Sequence, residues 1–379
     1  MVTQTPIVTR VKKQNMSDNL EQYAYIPLKQ LPNRVWRTYE GGALIDKWKS
    51  DKTQVDSSMP EEWIMSTITA RGKNRPVNEG LSLINTLSGK KSLKELVDSN
   101  LDLFLGKKLA KKYGSTGVLI KMLDSLERLT IQVHPDKEYA RTMLNSEFGK
   151  TESWYVLDNR EIDGEKSVVY MGFKEDVTKE LWKEHFETQN IEAMLNCLHK
   201  IEVKPGDAFM IYGGVPHAIG SGCFLMEVQE PTDYTMRVEK TTPKGLVLSE
   251  ELIHQGVGEE NMLKCFHYDN YSYDEALAKW KVDPEIIDAS DNYTLKSIFN
   301  EKHTDCFGLS ELDLNGNYTL KANGSFCVAV VYSGEGTILC GDKEYSFTQG
   351  DEIFISAAID TLTFKSQIDS KILLCYPPK

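Results

Sequence analysis

The spacing of hydrophobic positions predicts helices in the first half of the chain. Between residues 177 and 199, apolar and aromatic side chains recur every three to four positions, which predicts a helix that Thr178 can cap. Ser92 and Glu95 stand three apart before another apolar run, the pattern of a capping box. Residues 273–289 read as a linking helical stretch rich in Asp and Glu.

The second half of the chain has a different pattern, in which apolar segments are short and rich in Val, Ile, Phe and Thr. Gly, Asn or Asp separates these segments, which indicates antiparallel strands joined by tight turns. Such strands are predicted at 293–299, 326–332, 336–339, 344–347, 352–355 and 371–375. Earlier strands are predicted at 118–120, at 167–173 and between 200 and 239. The fold expected is therefore mainly β, of the sandwich or jelly-roll kind.

Two segments of the chain resemble each other. Residues 204–211 (KPGDAFMI) and 348–355 (TQGDEIFI) each place a Gly-Asp turn before an apolar strand, as in the hairpin of a cupin-type jelly roll. His217 follows the first copy, whereas no side chain suited to a metal follows the second. We therefore expect two cupin-type jelly-roll barrels with an added helical region. The N-terminal catalytic cupin domain is expected at 1–255, with its metal site within 118–245, and a C-terminal cupin-like domain without metal ligands at 256–379.

Composition limits the classes of function. The 379 residues are 40% hydrophobic and 26% charged, which is typical of a soluble globular chain. No apolar run reaches the roughly 18 residues of a membrane span. A net charge of −12 argues against nucleic acid or an anionic membrane as a partner, because both require a basic surface. Any anionic substrate must therefore be held by local lysines and arginines.

The cysteines and the N-terminus bear on the compartment. The seven cysteines are scattered without a CxxC pair, as expected of buried free thiols in a reducing compartment. Residues 1–15 form a polar lead-in without the apolar stretch of a secretory signal. A cytoplasmic location is expected.

Candidate chemistry begins at residues 130–137. Gln132 and His134 are two residues apart on an apolar segment, so a strand would direct both side chains to one face. Glu152 and His217 complete a possible set of oxygen and imidazole donors if residues 118–240 form one barrel. Such a set suits zinc, with manganese, iron, cobalt or nickel as substitutes. Taken singly, each residue has a simpler interpretation: a strand-end histidine, a surface carboxylate beside Trp154, or a turn-end histidine.

Four ordered segments resemble one family. They are 129–137 (LTIQVHPDK), 151–157 (TESWYVL), 214–220 (GVPHAIG) followed by 225–229 (LMEVQ), and 232–237 (TDYTMR). Together they look like the motifs of type I mannose-6-phosphate isomerases, also called phosphomannose isomerases, over about residues 118–245. Weaker likeness extends to Gly41-Gly42 and to residues 61–66.

The resemblance implies an activity and a set of roles. The activity is interconversion of mannose 6-phosphate and fructose 6-phosphate, which needs a proton moved between C1 and C2 through an enediol. One zinc ion per chain is implied, with the ligands Gln132, His134, Glu152 and His217. Residues placed at the substrate pocket are Arg237, Glu227, Lys137 and Lys121, and those assigned to the phosphate are Thr130 and Lys244. Glu227 is the first candidate for the base, and Lys137 is the second.

The chain also departs from the family pattern. Four additional residues separate Trp36 from Gly41, Ile64 replaces an acidic residue, and the aromatic-acidic tail common after Arg237 is absent. An isomerase of another phosphosugar and a non-catalytic, metal-binding sugar sensor therefore remain alternatives. A third alternative, an iron-dependent cupin oxygenase, is disfavoured because Gln132 and Glu152 do not belong to a His-rich ligand set. The expected partner is a small phosphorylated sugar, and the expected assembly is a monomer or homodimer.

Overall fold

The structure is a computed structural model that describes residues 19–72 and 75–379. The polar lead-in expected at 1–15 lies outside the described residues. The helices are short: α1 Ala43–Trp48, α2 Leu93–Ser99, α3 Leu101–Leu105, α4 Lys107–Tyr113, α5 Lys137–Leu144, α6 Lys179–Glu187, α7 Ile191–Asn196, α8 Glu250–His254, α9 Glu259–Met262 and α10 Tyr273–Trp280. Two 3₁₀ helices lie at Leu20–Tyr25 and Leu263–Cys265.

Strands make up most of the regular structure, so the mainly β expectation is confirmed. They are β1 Leu28–Lys29, β2 Arg34–Val35, β3 Glu61–Ile64, β4 Leu83–Thr86, β5 Gly89–Ser92, β6 Leu119–Asp124, β7 Gln132–Val133, β8 Glu152–Asn159, β9 Val168–Lys174, β10 Leu198–Glu202, β11 Ala208–Ile211, β12 His217–Ile219, β13 Cys223–Gln229, β14 Met236–Arg237, β15 Asn270–Tyr271, β16 Lys281–Val282, β17 Glu285–Ser290, β18 Tyr293–Phe299, β19 Gly308–Lys321, β20 Cys327–Ser333, β21 Glu335–Cys340, β22 Lys343–Thr348, β23 Glu352–Ile355 and β24 Thr361–Tyr376.

The N-terminal jelly roll consists of two facing sheets. One sheet has the order β16-β11-β8-β13-β6-β3-β2, and the other has β10-β9-β12-β7-β14, with β15 added parallel to β9. Alternate side chains of both sheets meet in a shared core, in which Trp154 and Phe209 of the first sheet pack with Met171 of the second. This arrangement follows from the period-two pattern of strands, which places one set of apolar residues between the sheets.

The C-terminal jelly roll is formed by one nine-stranded sheet that folds around its own core. Its two longest strands are β19, with 14 residues, and β24, with 16, and they pair over nearly their whole length. The expectation that every segment here is short is therefore wrong for these two strands. A register shift between Leu314 and Gly316 interrupts the pairing, which allows the long strands to bend.

A second hydrophobic core joins the two jelly rolls. The outer face of the seven-stranded sheet, represented by Met122 and Met226, packs with Phe326 and Leu373 of the C-terminal sheet. Apolar residues of α2, α3 and α4 close the same cluster. On the opposite side, α6, α7, α8 and α9 cover the outer face of the six-stranded sheet. The seven-stranded sheet is consequently buried on both faces, which explains its nearly continuous apolar strands.

The helix predictions hold in most places, but the helix predicted between 177 and 199 forms two helices, α6 and α7, and residues 198–199 already belong to β10. Ser92 and Glu95 form the expected capping box on α2, and the Thr178 side chain accepts a hydrogen bond from the Leu181 N–H at the start of α6. The helical prediction for residues 273–289 is wrong after Trp280. Residues 285–290 form β17, because their backbone pairs with β18.

The two Gly-Asp turns have the same structure in both jelly rolls. Gly206 and Gly350 have φ values of +94° and +87°, a conformation that glycine adopts without strain. The following aspartate accepts a backbone N–H three residues earlier in each copy: Asp207 from Lys204 and Asp351 from Thr348. The internal echo in the sequence thus corresponds to a repeated local structure.

The pairing of β15, β16 and β17 favours a boundary between the two jelly rolls later than residue 255. β15 and β16, which lie after residue 255, pair with β9 and β11 of the N-terminal jelly roll. β17 then begins the C-terminal sheet, while β1 from the start of the chain pairs with β23. We therefore propose a boundary at 283–284 in place of 255, with residues 28–29 contributed to the C-terminal sheet.

None of the helices in the described part of the chain combines the length and the apolar character required to cross a membrane. The seven cysteines are all free thiols with buried side chains.

Candidate metal centre and adjoining pocket

Four candidate ligands come together at one end of the six-stranded sheet. Gln132 lies on β7 and is the register partner of His217, the first residue of β12. His134 directly follows β7, and Glu152 is the first residue of β8 on the facing sheet. The short β7 therefore supports only part of the expected i, i+2 geometry, and His134 reaches the centre from just beyond the strand.

Interatomic distances define a common centre. His134 Nε2 is 3.1 Å from Glu152 Oε2, and His217 Nε2 is 3.5 Å from Glu152 Oε1. One donor atom from each of these three residues lies within 4.8 Å of the others. The Gln132 amide Nε2 donates to His217 Nε2 at 3.2 Å. Gln132 can therefore offer its oxygen to the same point after a 180° rotation of the amide.

Both histidines present the nitrogen that a metal needs. His134 Nδ1 and His217 Nδ1 each lie 2.9 Å from a backbone carbonyl, of Tyr234 and Val215 respectively. A carbonyl can only accept, so Nδ1 carries the proton and Nε2 keeps its lone pair. Burial lowers the pKa of His134 to about 3 and also lowers that of His217, which keeps both rings neutral.

The carboxylate of Glu152 is ionised despite its burial. Burial alone would raise its pKa, but the ammonium of Lys150 holds it well below its usual value. Within the described residues, Glu152 Oε2 has no hydrogen-bond partner. A buried carboxylate oxygen that accepts no hydrogen bond, next to the Lys150 ammonium at 3.2 Å and two imidazole lone pairs, fits a divalent cation.

Lys150 was missed by the sequence analysis. Its side chain is buried, and Nζ lies 3.0 Å from His134 Nε2 and 3.2 Å from Glu152 Oε2. The signal in the sequence was its position two residues before Glu152, a spacing that places both side chains on the same side when the segment leading into a strand is extended. Without a fold, an isolated Lys-Thr-Glu string gives no reason to bury that lysine.

A polar pocket adjoins this centre, and Gln132 and Lys150 belong to its wall. Of the residues assigned to substrate, the wall includes Lys121, Thr130, Glu227 and Arg237. Lys121 and Glu227 are register partners on β6 and β13, and their charged groups are 2.8 Å apart. Burial, together with the charge of Glu152, raises the pKa of Glu227. Although burial opposes it, the pKa of Lys121 is also raised, because the Glu227 and Glu61 carboxylates favour its charge.

Four further pocket residues were not assigned from the sequence: Arg37, Tyr39, Glu61 and Asp233. The Glu61 carboxylate accepts hydrogen bonds from Arg37 Nε, Tyr39 Oη and Trp63 Nε1 at 2.7–2.8 Å. Arg37 also lies 3.5 Å from Asp233. Arg37 and Tyr39 belong to the four-residue insertion after Trp36, so the departure from the family pattern forms part of the pocket wall. That insertion was the signal that could have identified them.

Arg237 has an unusual set of contacts. Its NH1 group donates to the carbonyls of Leu252 and Thr235, at 2.6 and 3.4 Å. Among the described residues its Nε has no partner, and no carboxylate forms an ion pair with it. Burial therefore lowers the pKa of Arg237 to about 10. A partly buried guanidinium with an unused N–H at a pocket wall is suited to an anionic ligand.

Two of the expected substrate residues do not line the pocket. Lys137 begins α5, and its ammonium lies 3.3 Å from Cys306 Sγ and 3.7 Å from Glu230 and Asp305. The helix begins immediately after the metal-ligand segment, so this side chain is directed toward the C-terminal jelly roll. Lys244 lies on an exposed turn and pairs with Glu40. The structure thus separates both lysines from the other candidate residues.

The fold and this donor set define a cupin-type protein with a candidate metal centre. Two family models match the chain: "Phosphomannose isomerase type I, catalytic domain" at residues 42–175 and "Mannose-6-phosphate isomerase, cupin domain" at residues 297–373. Together the matched ranges cover more than half of the chain. The chain belongs to the type I phosphomannose isomerases, a family of aldose–ketose isomerases.

Curated relatives agree with this assignment. Mannose-6-phosphate isomerase ManA of Bacillus subtilis is 27% identical over 251 residues, which are 63% of this chain and 68% of the relative. The mannose-6-phosphate isomerase of Streptococcus mutans is 26% identical over 254 residues, covering 66% and 72%.

Solved structures show the same fold. The mannose 6-phosphate isomerase of Bacillus subtilis superposes with a TM-score of 0.70 at 22% identity, over 92% of this chain and 99% of that one. A variant of phosphomannose isomerase from Salmonella typhimurium gives 0.68 at 14% identity, over 93% and 100%. At these identities the likeness concerns the fold alone.

Proposed function

We propose that this protein interconverts mannose 6-phosphate and fructose 6-phosphate, with one zinc ion held by Gln132, His134, Glu152 and His217. The observation that carries the proposal is the buried donor set beside a pocket with four cationic side chains, in a chain of this family. A divalent cation bound there would stabilise negative charge that develops on the sugar oxygens. The donor set itself accepts zinc, manganese, iron, cobalt or nickel.

The proton transfer is assigned to Glu227. Aldose–ketose isomerisation requires a group that removes a proton from one carbon and returns it to the next. Glu227 lies on the pocket wall, and its raised pKa makes its carboxylate a stronger base than an exposed glutamate. The Lys121 ammonium, also on the pocket wall, is 2.8 Å from the Glu227 carboxylate and stabilises its ionised form. Lys137, the second candidate, is disfavoured by its position outside the pocket wall.

The substrate phosphate is assigned to Arg237, with Thr130 as a hydroxyl donor in the same pocket. Arg237 has the unused guanidinium N–H that a phosphate oxygen can accept from, whereas Arg37 is already held by two carboxylates. Binding of a phosphate away from the reacting carbons would position the sugar and so contribute to catalysis. Lys244 is less suited to this role, because Glu40 already neutralises its ammonium.

One observation favours a second function, isomerisation of another phosphosugar. Arg37 and Tyr39, from the insertion, line the pocket. A different sugar could fit this wall better than mannose 6-phosphate does. The chemistry and the assigned residues would be unchanged. The partner remains a small phosphorylated sugar, and the monomer or homodimer state and the cytoplasmic location stay predictions.

The test combines metal analysis with turnover. Purified full-length protein is assayed for fructose 6-phosphate formation from mannose 6-phosphate, beside glucose 6-phosphate and other hexose 6-phosphates. His217→Ala should lose the stoichiometric metal and at least about 10³-fold in activity, since both depend on one imidazole. His185→Ala, on α6 away from the centre, is the control and should keep both.

Each other result contradicts part of the proposal. Retained zinc in His217→Ala would show that His217 is not a metal ligand. Faster turnover of another phosphosugar would select the second function. Bound metal without turnover of any phosphosugar would indicate a sensor, and oxygen uptake with iron would indicate an oxygenase.

A further inference from the structure

Two tryptophans occupy equivalent places in two strands of the seven-stranded sheet. β8 begins with Glu152 and has Trp154 as its third residue. β3 begins with Glu61 and has Trp63 as its third residue. Alternate side chains of a strand point to the same face, so each indole can reach the carboxylate at the start of its strand. The proposed isomerase chemistry uses Glu152 and gives neither tryptophan a role.

Each of these indoles donates a hydrogen bond to its glutamate. Trp154 Nε1 lies 3.1 Å from Glu152 Oε1, and Trp63 Nε1 lies 2.8 Å from Glu61 Oε2. Both indoles are fully buried, and a hydrogen bond removed from water is stronger than an exposed one. The pairing is not a general property of buried tryptophans in this chain, since Trp182 Nε1 has no hydrogen-bond partner within the described residues.

The bond from Trp154 distinguishes the two oxygens of the Glu152 carboxylate. Oε1 accepts from the indole, whereas Oε2 accepts no hydrogen bond from the described residues and lies 3.1 Å from His134 Nε2. The last torsion of a glutamate side chain is soft, so a fixed donor on one oxygen limits its rotation and keeps the other oxygen beside the imidazole. The same indole also packs edge-on against His217, with ring centroids 5.5 Å apart.

The histidine ligands have comparable supports. The Nδ1 groups of His134 and His217 are held by backbone carbonyls, which fix the orientation of both rings. For Glu152, the corresponding contact is the Trp154 indole. Partners that orient metal ligands in this way affect the metal itself, since their removal typically lowers metal affinity about 10- to 100-fold.

We propose that Trp154 is a positioning residue of the metal centre, whose indole N–H orients the Glu152 carboxylate toward the cation. The inference rests on the proposed function, because it requires a divalent cation at this centre. Trp63 acts in the same way on the pocket wall, where it orients Glu61, the carboxylate that also accepts from Arg37 and Tyr39.

The test is zinc retention by the full-length protein at increasing concentrations of a chelator of known affinity. Trp154→Phe keeps an aromatic ring and loses the N–H, so zinc affinity should fall about 10- to 100-fold. Trp182→Phe is the matched control, because Trp182 is equally buried and its N–H has no partner among the described residues. Both variants should lose free energy of unfolding in excess chelator, but only Trp154→Phe should lose zinc affinity.

An isosteric replacement separates the hydrogen bond from packing. The amino acid 3-benzothienylalanine has the shape of tryptophan with sulfur in place of the N–H, so at position 154 it fills the same space in the core. It should lower zinc affinity as Trp154→Phe does, and it keeps the test decisive if that variant does not fold. Circular dichroism checks the fold of each protein.

Trp63→Phe distinguishes the two Glu-x-Trp pairs. It removes an indole bond to Glu61, which is not a proposed metal ligand, so zinc affinity should stay unchanged. KM for the phosphosugar that the wild type turns over should rise about five-fold, the equivalent of one ordinary hydrogen bond. An unchanged KM would contradict the role of Trp63.

Unchanged zinc affinity in both Trp154 replacements overturns the proposal. An equal loss in Trp182→Phe or Trp63→Phe also overturns it, because the effect would then be a general one of core packing. Wild-type protein that binds no zinc would contradict the proposed function, and this inference with it. Equally tight binding by the wild type and both Trp154 replacements would contradict this inference alone.

Discussion

At the scale of single residues, the pocket depends on how buried charges are paired. Lys121 and Glu227 neutralise each other across two strands, and Glu61 is surrounded by donors. Burying a charge is costly unless it is paired and hydrogen-bonded, so these residues constrain one another. Arg237 is the exception, since it has no carboxylate partner within the described residues. This difference separates the group available to a ligand from those already satisfied by the protein.

The first prediction compares Arg237 and Lys244 as the side chain that binds the substrate phosphate. Arg237→Gln should raise KM for mannose 6-phosphate about 10- to 100-fold, because charge-assisted hydrogen bonds are worth about 1.5–3 kcal/mol. Lys244→Gln should change KM less than about two-fold, since an exposed ion pair contributes little. Steady-state kinetics of both variants measure this, with zinc content as a check on the metal centre. A larger rise in KM for Lys244→Gln than for Arg237→Gln would assign phosphate binding to Lys244.

At the scale of elements, short strands and helix starts place the ligands. β7 has only two residues, and its neighbour α5 begins three residues after His134. Asp136 caps α5 by accepting the Tyr139 N–H at 2.7 Å, and its other oxygen lies 3.0 Å from His267 Nε2. One aspartate thus fixes the turn between β7 and α5, and its contact with His267 holds the segment that carries Gln132 and His134 in place.

The second prediction separates the cap from the ion pair. Asp136→Ala should lower the free energy of unfolding by about 1 kcal/mol, the usual cost of a lost N-cap. Asp136→Asn keeps an acceptor for the cap and loses only a half-exposed ion pair, so its effect should be much smaller. Urea unfolding of the two variants measures the difference. Equal losses would show that the pairing with His267, and not the cap, stabilises this turn.

At the scale of the whole molecule, a buried charge cluster joins the two jelly rolls. Glu352 of β23 and Glu62 of β3 share one ammonium, that of Lys49, at 2.7 and 3.7 Å. Gln30 donates to both carboxylates, yet one oxygen of each has no partner within the described ranges. Two buried carboxylates cannot both be neutralised by one lysine. Burial and the charge of Glu62 therefore raise the pKa of Glu352 to about 8.

The third prediction concerns pH and stability. Because its folded pKa is raised, Glu352 binds a proton more tightly in the native state than in the unfolded chain. Its stabilising contribution is complete below the unfolded pKa and is lost as pH rises through about 8. The free energy of unfolding should therefore fall from about pH 5 to pH 8, by at most about 1.4 kcal/mol per pH unit from this group, and level off above pH 8.

A substitution tests the assignment to Glu352. Glu352→Gln imitates the protonated acid and should flatten the fall, when unfolding is measured in urea at several pH values. Glu344→Gln, on the exposed face of β22, is the control and should leave the slope unchanged. A slope that survives in Glu352→Gln would place the titration elsewhere.

The sequence by itself determined the elements whose signals are local. The capping box at Ser92, the Thr178 cap and the paired Gly-Asp turns depend on residues only a few positions apart, and each is present in the structure. The motifs around Gln132, His134, Glu152 and His217 also identified the family, because these short strings are specific on their own.

Only the tertiary structure decided what long-range packing controls. Residues 285–290 form a strand because β18 lies beside them. Lys137 and Lys244 lie outside the pocket, because their side chains contact Cys306 and Glu40 instead. Lys150 and Arg37 line the pocket, and this placement too depends on long-range packing. Which distant groups lie within a few ångströms of each other, and so which buried charges are paired, depends on strand order and sheet packing. A local sequence pattern does not contain that information.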